Sequence, residues 1–71
     1  MNIGKAIYNI RKKWNVPVSV ICEKTGLKDG TYYHVENGGG FHFSTLALIA
    51  QGLGVTVSDI ILEAEKYEKT D

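Results

Sequence analysis

The side chains best suited to metal binding or nucleophilic catalysis are few and far apart. The chain has one cysteine, Cys22, and two histidines, His34 and His42, and their spacing matches no zinc-binding pattern. A Cys–His nucleophile would need a third orienting group and a substrate pocket, and the sequence indicates neither. The glycines at 38–40 follow no predicted strand, so we interpret them as a helix end rather than a phosphate-binding loop. We therefore expect no enzyme, no metal and no cofactor, and a buried, unreactive Cys22.

The charged residues divide the chain into a basic half and an acidic half. Residues 1–34 contain six basic and two acidic side chains, whereas residues 35–71 contain two basic and six acidic ones. The formal net charge of the whole chain is zero. This division is typical of a protein that holds a polyanion such as DNA against one end. An uneven surface that is merely solvated is the alternative interpretation.

Length and composition predict one small domain that spans residues 1–71. The hydrophobic fraction of 44% and the charged fraction of 23% are those of a globular domain, not of a disordered tail. No apolar run approaches the ~20 residues of a membrane span, and no signal-peptide core is evident. A single cysteine cannot form an internal disulfide, which fits a reducing compartment. We expect a cytoplasmic binding domain that has no contact with a membrane.

Apolar periodicity and turn signals predict five short helices. One apolar stripe on the first helix comprises Ile3, Ile7, Ile10 and Trp14. Pro17 suits the first turn of a second helix, which Gly26 ends in a left-handed conformation. The predicted helices span residues 3–13, 17–24, 28–36, 44–53 and 58–67.

Polar caps and glycines mark the ends of the last three predicted helices. Gly38 ends the third helix and leaves residues 39–40 as a mobile loop. We expect Ser44 or Thr45 to cap the fourth helix, and Ser58 to cap the fifth. Five helices joined by short links, with no repeat, indicate an all-α fold.

The second and third predicted helices meet across a turn at Gly26. A small residue, Cys22, lies four positions before this glycine. A turn of this kind permits close, near-perpendicular packing of two helices, which is the helix-turn-helix geometry that presents the second helix to a DNA major groove. The predicted fold class is therefore an all-α, compact five-helix bundle with a helix-turn-helix.

Several motifs occur together over residues 3–63. They are Ile3-Gly4-Lys5, Ile10-Arg11-Lys12-Lys13, ICEKTGL at 21–27, Val35-Glu36-Asn37-Gly38, LALIAQGLGV at 46–55 and VSDII at 57–61. In this combination the sequence resembles the lambda-repressor-like, Cro/CI-type (Xre) helix-turn-helix DNA-binding domain. The resemblance implies a five-helix bundle that binds a palindromic operator as a homodimer. It also implies a nucleoid-associated transcriptional regulator of prokaryotic or phage type that represses by excluding polymerase.

The resemblance assigns base reading to the third helix, residues 28–36. By position the base-reading residues are Lys28, Asp29, Gly30, Tyr33 and His34. Lys28 can donate to guanine, Asp29 can accept from cytosine N4, and Gly30 allows close approach. Tyr33 and His34 can contact a thymine methyl group or a phosphate. The alternatives are a solvated Lys28, an Asp29 that interacts with the helix dipole, a Tyr33 packed on another ring and a His34 that is a plain surface imidazole.

Phosphate contacts, a structural ion pair and a dimer surface complete the predicted site. Expected phosphate contacts are Lys5, Lys12, Lys13, Asn37, Gly39 and Gly40. Arg11 and Glu36 match the family's pair that links the first helix to the end of the recognition helix. Ile60, Ile61 and Leu62 are three adjacent apolar residues, more than one helix face buries, and predict a dimer surface. The alternative is that all three fit within the core.

Two segments depart from the family pattern. Pro17 has no N–H to offer a phosphate, and we expect the neighbouring Val18 to be exposed at the DNA face. The loop after Gly38 carries phenylalanines in place of basic residues, and we expect Phe41 and Phe43 to anchor it on the core. These departures motivate a different function, in which the domain binds a partner repressor protein as a modulator or antirepressor.

Overall fold

The computed structural model describes residues 2–66 and contains five α-helices within them. In chain order they are α1 Ile3–Lys13, α2 Val18–Thr25, α3 Asp29–Glu36, α4 Phe43–Leu53 and α5 Val57–Glu65. No strand occurs in this part of the chain. The all-α class and the number of helices are confirmed. The predicted end of the last helix at residue 67 lies outside the described residues.

One hydrophobic core receives side chains from all five helices. α1 packs against α3 and α5, and α2 packs against α3 and α4. The largest fully buried side chains are Tyr32, Ile7, Ile21, Ile49, Ile60 and Val35. Burial of a side chain of this size contributes ~1.5–3 kcal/mol, so these six residues account for much of what stabilises the bundle.

Two glycines allow helices to approach more closely than any side chain would permit. A Cβ atom placed on Gly4 of α1 would overlap the carbonyl oxygen of Glu36 and lie 2.8 Å from that of Val35. A Cβ on Gly52 of α4 would lie 2.8 Å from Cγ2 of Ile21 in α2. The absence of a side chain at these positions therefore sets the distance from α1 to α3 and from α2 to α4.

The turn between α2 and α3 is fixed by Gly26 and Thr25. Gly26 has a φ of 79°, and its N–H donates to the carbonyl oxygen of Cys22. The Thr25 hydroxyl donates to the carbonyl oxygen of Ile21 at 2.7 Å and accepts from the N–H of Leu27 at 3.3 Å. Because side-chain and backbone bonds together close the turn, the relative orientation of α2 and α3 is well determined.

The starts of four helices differ from the predicted ones, and α3 begins one residue later than predicted because Lys28 is its N-cap. Pro17 is the N-cap of α2 rather than its first helical residue. α4 begins at Phe43 after His42 and has no side-chain cap, so the predicted caps Ser44 and Thr45 were wrong. Ser58 does not cap α5, because the Thr56 hydroxyl accepts from the Asp59 N–H while the Asp59 carboxylate accepts from the Thr56 N–H. This reciprocal capping box satisfies two N–H groups and places the cap two residues earlier than predicted, so that α5 begins at Val57.

Four predictions about burial were wrong. Trp14 is exposed, because α1 ends at Lys13 and the tryptophan lies past the last turn of the stripe. Val18 is buried in the core as the first residue of α2 rather than exposed. Phe41 and Phe43 do not anchor their loop, since both rings are exposed and Phe43 retains 71% of its accessible surface.

Within the described residues, no single helix has the length and apolarity to cross a membrane. α4 and α5 meet such a criterion only when taken as a pair, and they are bent by 96° relative to each other.

Candidate nucleic-acid interface

α3 lies on the surface of the bundle and is held along one side. Its two buried side chains are Tyr32 and Val35, which point into the core between α1 and α2. Its C-terminal carbonyl groups contact Gly4 of α1 directly. Gly30 and Thr31 have low helix propensity and α3 is short, so α3 depends on these contacts for its stability.

The predicted ion pair between Arg11 and Glu36 is present and has a third member. The Arg11 guanidinium donates to both carboxylate oxygens of Glu36, from Nε at 3.1 Å and from Nη2 at 3.2 Å. The Tyr32 hydroxyl donates to the same carboxylate at 2.6 Å. The side chains of Arg11 and Glu36 are only 14% and 8% exposed. This bidentate, nearly buried network fixes the end of α3 on α1.

The network shifts the pKa values of both donors. The hydrogen bond to Glu36 raises the pKa of Arg11, so the guanidinium stays charged. Burial, followed by the hydrogen bond to the Glu36 carboxylate, raises the pKa of the Tyr32 phenol well above its ordinary value. Tyr32 therefore remains a neutral donor throughout the physiological pH range.

We expect the Tyr32 hydroxyl to make the free energy of unfolding fall as the pH rises in the alkaline range. An unfolded tyrosine loses its proton near its ordinary pKa of 10.0, whereas the folded Tyr32 keeps it. This stabilisation is complete below pH 10 and is lost as the pH rises towards the raised folded value. Tyr32→Phe should lower the free energy of unfolding by ~1.5–3 kcal/mol at neutral pH and flatten the alkaline decline. Urea unfolding across the pH range measures both effects.

Tyr33→Phe is the matched control, because Tyr33 is the exposed neighbour whose ring meets Tyr32 edge to face at 5.7 Å. We expect it to change stability by less than ~0.5 kcal/mol, as surface substitutions usually do. Equal effects of the two substitutions would contradict the role given to the Tyr32 hydroxyl.

The outward side of α3 is exposed along its whole length. It presents the five predicted base-reading residues, Lys28, Asp29, Gly30, Tyr33 and His34, all of which are exposed. Lys28 is the N-cap and Asp29 is in the first turn. A Cβ on Gly30 would meet no atom within 4 Å, so the surface is open there. The structure thus brings these residues together on one helix, outside the core.

His34 connects the outward side of α3 to the loop that follows. Its imidazole ring lies directly over Gly39, where a Cβ would overlap the ring atoms. The Gly39 N–H donates to the His34 carbonyl oxygen at 2.8 Å, so that N–H is not free for a phosphate. Gly38, with a φ of 95°, makes the turn between them. The start of the predicted mobile loop is therefore tied to α3.

The predicted phosphate contacts fall into two groups. Lys5 of α1 and Asn37, the C-cap of α3, line one groove of about 390 Å³ that also contains Asn2, Tyr8, Glu36 and Gly38. The Lys12 ammonium lies 5.8 Å from the centre of the Tyr8 ring, which lines this groove. Lys13 faces elsewhere, with its ammonium 5.7 Å from the Trp14 ring. We name the first surface, Lys5, Tyr8, Lys12 and Asn37, the basic groove.

Tyr8 was not identified as a site residue from the sequence, although its spacing from Lys5 and Lys12 predicts that it lies between them on α1. It follows Lys5 by three residues and precedes Lys12 by four, so all three share one face of a helix. The Arg11 guanidinium carbon lies 5.4 Å from the centre of its ring. The exposed Tyr8 ring therefore supports two cations by cation–π contact.

Cys22 is buried, as predicted, and is a free thiol. Burial is the main cause that raises its pKa, and the Asp29 carboxylate adds to the shift. A thiol that stays protonated is a weak nucleophile and a weak metal ligand. Residues 2–66 contain no group of three or more cysteine, histidine or acidic side chains placed to hold a metal ion.

The three residues of the predicted dimer surface lie in different environments. Ile60 is fully buried in the core and has no surface to offer a second copy. Ile61 is half-buried, and Leu62 is 61% exposed. Three consecutive residues span about 200° of a helix, so they cannot lie on a single face.

Comparison with known proteins identifies no relative of this chain. No protein-family model, no curated protein and no solved structure matches it.

Proposed function

We propose that this protein is a sequence-specific DNA-binding transcriptional regulator that places α3 in the major groove of a palindromic operator and acts as a homodimer. In this proposal α2 and α3 form the helix-turn-helix of a lambda-repressor-like domain. Lys28, Asp29, Tyr33 and His34 contact base edges, and Gly30 lets the helix approach closely. Repression follows from exclusion of polymerase.

The observation that carries this proposal is the contrast between the two sides of α3. One side is fixed to α1 by the Arg11–Glu36–Tyr32 network and by the contact at Gly4. The other side presents mixed donors and acceptors to solvent. Base reading needs side chains on a rigid element that fits a groove about 12 Å wide, and one α-helix with its side chains is ~10–12 Å across.

The basic groove gives the proposed complex its backbone contacts. Lys5 and Asn37 line the groove at the C-terminal end of α3, and Lys12 lies against the Tyr8 ring that also lines it. The sugar-phosphate backbone would pass there if the helix occupies the major groove. Arg11 is not among these contacts, since its guanidinium already donates to Glu36. Phosphate contacts of this kind fix the position of α3 and carry no sequence information themselves.

A salt titration tests the proposal. Binding to a labelled random duplex is followed by fluorescence anisotropy over a range of salt concentrations. Each neutralised phosphate adds about −0.9 to the slope of log K against log salt, so Lys5 and Lys12 predict about −2 per protomer. A flat response would overturn the proposal. After a salt-dependent response, selection from a random oligonucleotide pool supplies the operator.

Lys28 and Lys12 should affect DNA binding in different ways. We expect Lys28→Ala to reduce discrimination between the selected operator and a scrambled duplex by ~1–3 kcal/mol, because a base contact is lost. Lys12→Ala should weaken binding to both duplexes alike and make the salt slope less steep by about one, because it contacts phosphate. Equal losses on both duplexes for Lys28→Ala would contradict its role as a base reader.

The second candidate function is a modulator that binds a partner repressor protein. The specific observation in its favour is the segment 37–58, which follows α3 in the chain, contains no Asp, Glu, Lys or Arg and carries the exposed Phe41 and Phe43. A protein surface, unlike DNA, does not require positive charge there. The same titration distinguishes the two functions, because a modulator should show a flat salt response with DNA together with tight binding to a repressor.

A further inference from the structure

The outer face of α4 lacks the charged residues that an exposed helix normally carries. The residues of α4 that keep accessible surface include Phe43, Ser44, Ala47, Leu48 and Gln51, none of which is charged. A surface helix in a small globular protein usually presents charged side chains opposite its buried stripe. The neutral outer face of α4 therefore differs from the outer face of a usual surface helix.

Two phenylalanines make this face apolar as well as neutral. Phe43 begins α4 and is 71% exposed, and Phe41 in the preceding loop is 40% exposed. Phe43 and Ala47 are four residues apart and thus lie on the same side of the helix. We name Phe41, Phe43 and Ala47 the neutral patch. Exposed aromatic residues that cluster in this way mark interaction surfaces.

We propose that the neutral patch is the surface on which a second copy of this chain docks. A two-fold interface places one patch against an identical patch, so any net charge in it meets the same charge on the other copy. The whole segment 37–58 avoids this repulsion, because it contains no Asp, Glu, Lys or Arg. Apolar contact between the phenylalanine rings then stabilises the pair without opposition.

The competing surface on α5 does not meet this condition. Leu62 is its exposed apolar residue, its neighbours three residues away are the exposed acidic Asp59 and Glu65, and the exposed Lys66 lies four residues away. In a two-fold pair of antiparallel α5 helices centred on Leu62, Asp59 of one copy would approach Glu65 of the other. Like charges brought together across an interface cost several kcal/mol. The charge pattern therefore favours the neutral patch.

The dimensions of the molecule agree, in an argument that rests on the proposed function. Half-sites on one face of DNA are ~34–36 Å apart. The described part of the chain measures 35 × 24 × 17 Å, so two protomers on adjacent half-sites are close enough to touch. The neutral patch begins five residues after the end of α3 in the chain.

Sedimentation equilibrium without DNA tests the docking surface. Phe43→Glu puts a charge into the patch and is compatible with the fold, since the residue is exposed and a carboxylate is favoured in the first turn of α4. Leu62→Glu is the matched control, with the same charge at a similarly exposed leucine. Circular dichroism and thermal melting check that both variants fold.

We expect the mass of the unmodified chain to rise from monomer to dimer with concentration. Phe43→Glu should weaken this association about tenfold or more, as expected for like charges placed opposite each other, and Leu62→Glu should leave it unchanged. An unmodified chain that stays monomeric, or association lost in Leu62→Glu and kept in Phe43→Glu, would overturn the proposal. An unmodified chain that stays monomeric while Phe43→Glu loses DNA binding would assign the patch to nucleic acid, which also overturns it.

This measurement is independent of the proposed function. A chain that dimerises through the neutral patch but shows a flat salt response supports the docking surface and overturns DNA binding. A monomeric chain with a steep salt response overturns the docking surface and supports DNA binding.

Discussion

Replacing Gly4 by alanine is expected to lower the free energy of unfolding by about 3 kcal/mol, which corresponds to a melting temperature about 12–24 °C lower for a domain of this size. The added methyl group would overlap the Glu36 carbonyl oxygen and lie 2.8 Å from the Val35 carbonyl oxygen. Both atoms belong to the backbone of α3, so no side chain can rotate away. α1 and α3 would have to separate, which would also stretch the Arg11–Glu36 hydrogen bonds.

Gly30→Ala is the matched control for Gly4→Ala, because both add one methyl group to a helical glycine. A Cβ on Gly30 meets nothing within 4 Å. Alanine also loses less backbone entropy on folding, so we expect a gain of ~0.5–1 kcal/mol. Thermal and urea unfolding of both variants give the comparison. If Gly4→Ala were as stable as Gly30→Ala, the close contact between α1 and α3 would be refuted.

Glu36→Ala is also expected to lower the free energy of unfolding by about 3 kcal/mol. The substitution leaves a nearly buried Arg11 guanidinium without its bidentate acceptor and removes the acceptor of the Tyr32 hydroxyl. Removing one partner of a buried ion pair costs ~3–5 kcal/mol, because the remaining charge stays uncompensated. A domain of ~70 residues has a total stability of only ~4–10 kcal/mol, so the loss is severe. Urea unfolding at neutral pH measures it.

The chain contains a matched control for this ion pair. Lys66 and Glu63 are joined by an N–O distance of 3.1 Å, the same as between Arg11 Nε and Glu36, but the Lys66 side chain is 70% exposed. We expect Lys66→Ala to cost less than ~0.5 kcal/mol, because solvent screens an exposed pair. The account of the network would fail if Glu36→Ala cost no more than Lys66→Ala.

Much of the fold could be predicted because its signals are local. The apolar spacing of Ile3, Ile7 and Ile10 predicted α1 with its observed bounds. Gly26 and Gly54 end α2 and α4 in the left-handed conformation, with φ values of 79° and 78°. Periodicity and glycine ends depend on nearby residues alone, so a single sequence contains them.

The wrong predictions concern burial and the choice between neighbouring caps. Whether Trp14 joins the core depends on where α1 ends, and whether Phe43 does depends on the path of a loop, so both are tertiary properties. The cap of α5 had a local signal that was missed, since Thr56 and Asp59 have the spacing of a capping box. A glycine such as Gly4 inside a helical pattern also indicates close packing, although not against which residue.

The candidate site was predictable in its residues and not in its arrangement. The resemblance supplied Arg11 and Glu36, and the structure joins them. It could not supply Tyr32 as a third member, the ring of His34 over Gly39 or the groove around Tyr8, because these contacts depend on helix packing. The sequence showed that Phe41 and Phe43 depart from the pattern it resembles, but not that both rings are exposed.

Backbone NMR titration with a selected duplex shows whether the outward side of α3 binds DNA. We expect the largest amide shift changes and the strongest protection from exchange on residues 28–37, with smaller changes around Lys5 and Lys12. We also expect α5 to be unaffected by DNA at protein concentrations where the oligomeric state is constant. Changes centred on α5 with α3 unperturbed, or no saturable change at low salt, would contradict DNA binding by α3.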